Sequence, residues 1–346
     1  MTSETRPRTG RAVWFTGPRR AELLPEPVRS PGDAEVTVRT LVSLISAGTE
    51  MKYYRGQVGP GVDVGLPTMA GGAGFPVKFG YECVGRVIEA GPGSPRRPGE
   101  LVFARHPHQE LFTTAVEHGQ RAIVVGLPGG VEPEVAVFLN LAEVAVNALL
   151  DVPVRVGDVV VVFGQGVVGL LVAQLVRRTA ARVVAVDPVP LRRRLALALG
   201  ADVAVAPADA AAAVRDASRG RGADVAFEAS GAPAGLQAAL RVTGREGTVA
   251  VVSFYGDRPV ELVLTPEFHV GRQSIVSTMV GGLNPALRSR WDFDRRTATA
   301  LELLPGLRTG ELLTHRVPFE RAPEAFELLD REPGDTLGIA LTYAAG

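Results

Sequence analysis

Residues 159–176 read VVVVFGQGVVGLLVAQLV and decide the fold of their part of the chain. The apolar run that opens this stretch predicts a strand buried on both faces, as in a parallel sheet. The run leads into Gly164, Gly166 and Gly169 in the spacing G-x-G-x-x-G, and an apolar helical segment follows at once. The first glycine permits a tight turn, the second lets a pyrophosphate approach the backbone, and the third allows close packing of helix and strand. The stretch therefore predicts a dinucleotide-binding α/β domain.

The start of the helix after this turn completes the predicted phosphate site. The unpaired backbone N–H groups around Val167 and Val168, together with the positive end of the helix dipole, suit a phosphate. The next predicted strand, RVVAV, ends at Asp187, about 20 residues further on. Its carboxylate can accept both ribose hydroxyls of NAD and would repel the 2′-phosphate of NADP. Arg192 on the following helix is a further candidate nucleotide contact, although such arginines are usually solvated; the pattern favours NAD.

The character of the sequence changes along the chain and divides it into domains. Residues 11–125 consist of short β-type runs separated by Gly and Pro, which predicts a mostly β domain. A glycine-rich loop over residues 56–76 interrupts them, and a loop of this length is often a lid. From residue 133 strands and helices alternate, as a doubly wound parallel sheet requires, and the tail after residue 281 is predicted to pack on the first domain. We therefore predict an α/β protein with one domain of residues 1–132 and 282–346 and a nucleotide-binding domain of residues 133–281.

Composition limits the classes of partner. The 346 residues are 46% hydrophobic, enough for two packed cores. Equal numbers of basic and acidic residues, 37 each, give no strong field for nucleic acid or an anionic membrane. The single cysteine, Cys83, excludes an internal disulfide and a multi-cysteine metal site. Because the sequence also shows neither a signal-peptide pattern nor a run of about 18 apolar residues, we expect a cytoplasmic protein with small-molecule partners.

Several motifs together resemble the medium-chain dehydrogenase/reductase family. They are GYECVGRVIEAG (residues 80–91) where the family has G-H-E-x-x-G-x-V, the PGELVFA that follows, and GQGVVGLLVAQL with LALALGAD. LISAGTEMKYYRG (residues 44–56), the tyrosine of GYE and the RW…RR of residues 290–296 resemble a branch that includes bacteriochlorophyllide hydroxyethyl dehydrogenases. The resemblance implies a GroES-like catalytic domain, a Rossmann domain, NAD-dependent chemistry at CH–OH groups, and a homodimer joined through edge strands. The β-type residues of 260–280 suit such an edge.

The same resemblance shows what this sequence lacks. Zinc-dependent members take metal ligands from a C-G-T-D type motif, from the histidine of G-H-E and from a position ahead of the first nucleotide-domain helix. These three positions hold Ala47, Tyr81 and Asn140. Alanine has no donor atom, and a phenol and an amide are poor zinc ligands. We therefore expect no bound zinc.

Other groups must then handle the proton that leaves or reaches the substrate oxygen. The resemblance implies that Tyr81 points toward that oxygen, that Thr49 hydrogen-bonds it, and that Lys52 ends a proton relay. Glu82 is a neighbouring acid that is equally explicable as a structural carboxylate. His108, and beside it His106, is a candidate base because histidine titrates near neutrality.

The segment FEASG matches the family segment that passes beside the nicotinamide half of NAD. Ser230 and Gly231 within it are therefore expected to contact the cofactor.

The sequence thus predicts a zinc-independent, NAD-dependent dehydrogenase acting on a secondary alcohol or its ketone. One alternative is a metal-free enoyl or quinone reductase, which shares the fold but prefers NADPH, and comparison of NADH with NADPH separates the two. Another is a catalytically inactive subunit that only binds nucleotide. Grouping of Thr49, Tyr81 and Lys52 around one point argues for activity, and their dispersal argues against it.

Overall fold

The computed structural model describes residues 8–59, 61–62, 64–72, 74–179 and 181–344. The chain forms two compact units, a first unit of residues 1–140 with 313–346 and a second unit of residues 141–312. None of the helices in the described ranges is long and apolar enough to cross a membrane.

The strands, in chain order, are β1 (Arg8–Gly17), β2 (Arg20–Val28), β3 (Glu35–Ile45), β4 (Cys83–Ala90), β5 (Leu101–Ala104), β6 (Leu111–Ala115), β7 (Glu117–His118), β8 (Arg121–Ala122), β9 (Val124–Gly126), β10 (Val159–Phe163), β11 (Arg182–Val186), β12 (Val203–Val205), β13 (Ala223–Glu228), β14 (Thr243–Val251), β15 (Ser274–Ser277), β16 (Leu313–Pro318) and β17 (Gly338–Thr342). The α-helices are α1 (Thr49–Tyr54), α2 (Pro133–Ala136), α3 (Leu139–Asp151), α4 (Val167–Arg177), α5 (Pro190–Ala198), α6 (Ala210–Ala217), α7 (Pro233–Val242), α8 (Glu267–Gly271), α9 (Phe293–Leu303) and α10 (Ala322–Arg331).

The second unit is built on a parallel sheet with the strand order β12-β11-β10-β13-β14-β15. The central strand β10 is buried at every residue, which explains its run of valines, because branched apolar side chains pack well on both faces of a covered sheet. The helices that alternate with these strands follow the doubly wound pattern. The predicted Rossmann-type fold class is confirmed. The carboxyl ends of β10, β11, β13 and β14 meet at one edge of the sheet, where the glycine turn lies.

The first unit is mostly β, as predicted. Its main sheet has the order β16-β17-β3-β4-β5-β9, and β6 also pairs with β3. Pairing is antiparallel except between β16 and β17, so the closing strand of the chain enters the sheet of the N-terminal half. Alternate residues of β3 and its neighbours fill the core, among them Val36, Val38, Val87 and Val102.

The structure differs from the sequence prediction in several places. Two helices, α2 and α3, precede the first strand of the predicted alternation after residue 133. Residues 260–264 form no strand, so the predicted β-type edge is β15 alone. The described part of the 56–76 loop holds no helix or extended strand, while Pro60, Asp63 and Ala73 of that loop lie outside the described residues.

The observed division of the chain also differs from the predicted boundaries. Residues 282–312 belong to the second unit, whereas the prediction placed them with the first. A buried ion-dipole contact explains this difference. Arg296 on α9, only 1% exposed, donates to the Asn147 side-chain oxygen of α3 at 2.9 Å and to the Gly282 carbonyl at 3.2 Å. A buried guanidinium needs such partners, so α9 is held on α3.

Candidate active site

The glycine turn of the second unit follows β10 and leads into α4. Gly164 has a φ of +85°, and a Cβ on it would lie 2.6 Å from the backbone of Ser230. A Cβ on Gly169 would lie 1.8 Å from the Gly164 carbonyl oxygen. Gly166 is different, because a Cβ there would have no protein heavy atom within 4 Å. Two glycines are therefore required by the protein itself, whereas the third leaves open space for a ligand to approach the backbone.

The first turn of α4 adjoins that open space. The N-cap residue is Gly166, which has no side chain that could accept a hydrogen bond from the helix end. The backbone N–H groups of Val167 and Val168 thus lack intrahelical acceptors, as in any first turn. This arrangement fits the pyrophosphate of a dinucleotide.

Asp187 stands directly after β11 at the same edge of the sheet. One carboxylate oxygen accepts from the Gln165 N–H at 2.7 Å, and the other accepts from the Val189 N–H at 2.8 Å. The residue is only 2% exposed. The glycine turn therefore holds the carboxylate in one orientation.

Two arginines of α5 lie beside this carboxylate. The Arg192 guanidinium is 3.9 Å from an Asp187 carboxylate oxygen, and Arg193 donates to the main-chain carbonyls of Asp187 and Pro188, each at 2.8 Å. Neither arginine is simply a solvated side chain, because both are anchored at the end of β11.

Glu228, at the end of β13, is a second acid at this edge of the sheet that accepts a hydrogen bond from a backbone N–H group. It was not identified from the sequence. Its fully buried carboxylate accepts from the Ser230 N–H at 2.8 Å and from the Tyr255 hydroxyl at 2.5 Å. Its main-chain carbonyl accepts from Ser253, whose hydroxyl in turn accepts from the Gly231 N–H at 2.7 Å. Glu228 thus ties the loop that holds Ser230 and Gly231 to the loop after β14. An acid at the carboxyl end of a parallel strand was the available signal.

In the first unit a group of hydroxyls surrounds Tyr81. The Tyr81 hydroxyl donates to the Ser46 side-chain oxygen at 2.6 Å, and the Thr49 side chain lies near enough to lower the Tyr81 pKa. Burial, followed by the Glu50 and Glu82 carboxylates, raises the pKa of Tyr81 above its ordinary value, while Ser46 and Thr49 lower it. The net effect keeps the phenol protonated at neutral pH. Tyr81 and Thr49 therefore come together as predicted, and Ser46 joins them.

Behind these hydroxyls lies a buried chain of polar groups. Glu50 accepts from the Ser46 N–H at 3.0 Å, and its other carboxylate oxygen is 2.8 Å from His108 Nε2. His108 Nδ1 is 2.7 Å from the Ser43 hydroxyl, which is 2.8 Å from the hydroxyl of Tyr343. The side chains of His108 and Glu50 are fully buried. Both ring nitrogens of His108 are therefore engaged inside the first unit.

A third group surrounds Asn140, at the end of the first unit's N-terminal segment. The Asn140 amide donates to a Glu82 carboxylate oxygen at 3.0 Å. Its carbonyl oxygen accepts from Arg105 Nε at 3.3 Å and from Arg121 Nη2 at 3.1 Å. Glu82 and Arg105 are 0% and 1% exposed. Asn140 therefore links a buried carboxylate to two guanidinium groups.

Comparison with known proteins identifies the family. A family model described as "Zinc-binding dehydrogenase" matches residues 167–294. A D-guloside 3-dehydrogenase of Shigella flexneri is 31% identical over 274 residues, which are 77% of this chain and 77% of that protein. The chain belongs to the medium-chain dehydrogenase/reductase family. A 2-desacetyl-2-hydroxyethyl bacteriochlorophyllide A dehydrogenase of Cereibacter sphaeroides is 27% identical over 349 residues, covering 96% of this chain and 98% of that one.

Solved structures agree with this fold. An alcohol dehydrogenase of Escherichia coli, solved with NADH, matches with a TM-score of 0.78 and 17% identity over 96% of this chain and 99% of that one. A zinc-binding dehydrogenase of Sinorhizobium meliloti, solved with NADP, matches with a TM-score of 0.77 and 18% identity over 97% and 99% of the two chains. These two structures support the fold, and the dehydrogenases among the sequence relatives show that this medium-chain dehydrogenase/reductase is an oxidoreductase of CH–OH groups.

The residues of this family member do not fit a catalytic zinc ion. Position 47 offers only a methyl group, the Tyr81 hydroxyl is directed at Ser46, and the Asn140 oxygen is taken by two arginines. Throughout the described ranges, no three His, Cys, Asp or Glu side chains are placed so that they could share a metal ion. A dication at Asn140 would also face two fixed positive charges, which is unfavourable.

The remaining candidates from the sequence are placed as follows. Lys52 lies on α1, three positions after Thr49 and half-buried. His106 is buried with its ring stacked on Phe112 at 3.7 Å, and burial, then the Lys78 ammonium, lowers its pKa to about 3. A group with that pKa is a poor proton acceptor at neutral pH.

Proposed function

We propose that this protein is an NAD-dependent dehydrogenase that interconverts a secondary alcohol and its ketone without a catalytic zinc ion. The observation that carries the proposal is the chemistry of the side chains at the three positions where zinc-dependent members have metal ligands. A methyl group, a phenol bonded to Ser46 and an amide bonded to two arginines stand there, and none offers a metal a free, charged donor.

The Tyr81 phenol takes over the proton chemistry in this proposal. Its raised pKa keeps it protonated, so it can donate to a ketone oxygen and stabilise the charge that develops there. As the ketone oxygen takes the phenol proton, Tyr81 recovers one from Ser46 or Thr49 beside it, and the Lys52 ammonium reprotonates that hydroxyl and regains a proton from solvent. NAD(H), when bound, accepts or supplies the hydride. Lys52, one helical turn from Thr49, ends the relay toward solvent.

Glu82 and His108 receive a different role from the other predicted catalytic residues. Glu82 is fully buried and bonded to Asn140, and His108 is fully buried between Glu50 and Ser43. We infer that both are positioning residues, because neither presents a free surface within its unit to a substrate.

The second unit supplies the nucleotide site of the proposal. The open backbone at Gly166, Val167 and Val168 suits the pyrophosphate. Asp187, held by two backbone N–H groups, suits a ribose diol and disfavours a 2′-phosphate, although Arg192 nearby weakens that discrimination. Ser230 and Gly231, tied down by Glu228, are proposed to border the nicotinamide half.

Metal analysis tests the proposal. Purified protein should hold well under one zinc per chain and should oxidise a secondary alcohol with NAD at an unchanged rate in excess chelator. Stoichiometric zinc, together with loss of activity in chelator, would refute zinc independence.

A homodimer is part of the proposal. β15 is the edge strand of the second unit's sheet, and Ile275 on it and Met279 just after it are 37% and 54% exposed. An uncovered edge with apolar side chains suits pairing with a second copy. Light scattering at micromolar concentration should give twice the 36.4 kDa chain mass, and a monomer mass would remove this part.

A further inference from the structure

The buried group around Asn140 carries an inference beyond the absence of zinc. Asn140 occupies the third ligand position, and its amide is used at both ends, toward Glu82 on one side and toward Arg105 and Arg121 on the other. An amide that joins a carboxylate to two guanidinium groups is polarised by both, and each of its hydrogen bonds strengthens the others. The three charged side chains are thus one connected network.

The network is held in place by its surroundings. Arg105 also donates to the main-chain carbonyl of Ala122, and Ala122 follows Arg121 in β8. The two guanidinium groups are therefore fixed by the same short strand. Because Arg105 and Glu82 are almost fully buried, removal of either charged side chain is expected to be strongly destabilising.

A divalent ion cannot share this position. It would need the Asn140 oxygen, which already accepts from both arginines, and it would be repelled by their two charges at short range. A carboxylate introduced at position 140 would not solve the problem, because arginine binds carboxylates more strongly than amides and would take its oxygens. Restoring ligand side chains is therefore insufficient to restore the metal.

We propose that Arg105 and Arg121 form a built-in cation that replaces the metal charge beside Glu82 and bars a divalent ion from this site even when metal ligands are restored. The proposal rests on the zinc-independent function proposed above. It names two positioning residues that no family motif marks.

The test compares three variants with zinc chloride as the only probe. The first restores the ligands through Ala47→Cys, Tyr81→His and Asn140→Glu. The second adds Arg105→Met and Arg121→Met. The third is the matched control and adds Arg39→Met and Arg86→Met instead, two exposed arginines that face each other on β3 and β4.

Zinc content is measured after gel filtration, and affinity is measured by calorimetry. The ligand-restored variant and the matched control should hold little zinc, whereas the variant without Arg105 and Arg121 should bind about one zinc per chain, at least about 100-fold more tightly. Stoichiometric zinc in the ligand-restored variant with both arginines present would overturn the proposal. So would a folded arginine-free variant that binds zinc no better than the control.

Loss of the buried Arg105 can prevent folding, which circular dichroism would reveal. In that case Arg121→Met alone is added to the ligand-restored variant, since Arg121 is only half-buried. It should raise zinc affinity at least about tenfold, and an unchanged affinity would overturn the proposal.

The native protein separates this proposal from the proposed function. Zinc-free, active native protein combined with zinc binding by the ligand-restored variant overturns the role of the arginines and leaves the function intact. Stoichiometric zinc in the native protein would refute both the zinc-independent function and the role of the arginines.

Discussion

The glycine turn of the second unit matches the family motif, whereas the region around Tyr81 in the first unit departs from it at the metal-ligand positions. In the turn, Gly164 is required by its positive φ and Gly169 by the space that a Cβ would lack, whereas Gly166 leaves room for a ligand. Around Tyr81 the two polar side chains at the ligand positions are bonded to protein neighbours, Tyr81 to Ser46 and Asn140 to Glu82.

The difference follows from which atoms do the binding. A pyrophosphate site is made by main-chain N–H groups, so the backbone path fixes it and few substitutions are tolerated. A metal site is made by side chains, and each can be replaced by another that finds a local partner. The backbone path therefore restricts substitution in the first kind of site, whereas the second kind can change its chemistry one side chain at a time.

The largest expected effect tests the changed region. Tyr81→Phe removes the hydroxyl that bonds Ser46 beside Thr49 and should lower turnover by about 10²-fold, the usual scale for one acid–base group, with nearly unchanged NAD affinity. Steady-state kinetics with both substrates varied measures this. The matched control is Tyr54→Phe on α1, which should retain activity. Full activity in Tyr81→Phe would show that the tyrosine merely fills space.

The next effect tests the nucleotide region. Native protein should bind NAD at least about tenfold more tightly than NADP, and Asp187→Asn should narrow that ratio because it removes the negative charge while keeping an acceptor of similar shape. Fluorescence titration of NADH and NADPH provides the affinities. Equal affinities in the native protein would mean that Arg192, 3.9 Å from the carboxylate, cancels the discrimination.

A smaller effect is expected at the end of the relay. Lys52→Met should lower turnover less than Tyr81→Phe does and should move the pH of highest turnover, because Lys52 receives the proton without touching the substrate. A pH series of turnover for the two variants and the native protein makes the comparison. An unchanged pH profile would exclude Lys52 from the relay.

The smallest effect concerns the tie between the two loops of the second unit. Tyr255→Phe removes the 2.5 Å hydrogen bond to Glu228 but leaves the Ser230 contacts of that carboxylate, so the KM for NAD should rise by only about threefold. The KM for the alcohol serves as the internal control and should hardly change, whereas the melting temperature should fall modestly because a buried carboxylate oxygen loses this donor. A large loss of stability would make Tyr255 a packing residue instead.

Local patterns predicted much of the molecule well. The strands β10 and β11, at Val159–Phe163 and Arg182–Val186, were predicted to the residue. Short apolar runs bounded by turns, alternating with helical segments, indicate buried parallel strands. The loss of donor atoms at the ligand positions was likewise visible in the sequence.

The errors arose where distant residues decide the outcome. The segment 282–312 was predicted to join the first domain, and only the buried contact of Arg296 with Asn147, 149 positions apart, explains its place in the second unit. His106 and His108 were both candidates for a base in the sequence, yet the fold buries both and gives them different partners, the Phe112 ring for His106 and the Glu50 and Ser43 side chains for His108.

The sequence by itself determined the Rossmann turn, the alternation of strands and helices and the lack of good metal donors at the three ligand positions, since these depend on neighbours along the chain and on the chemistry of each side chain. Only the tertiary structure decided that Ser46 bonds Tyr81, that Glu228 bonds Tyr255, and that Arg105 and Arg121 converge on Asn140. These pairs lie between 19 and 35 positions apart in the chain. Their contacts exist because buried polar groups must find partners wherever folding brings one within hydrogen-bond distance, and no periodicity records that requirement.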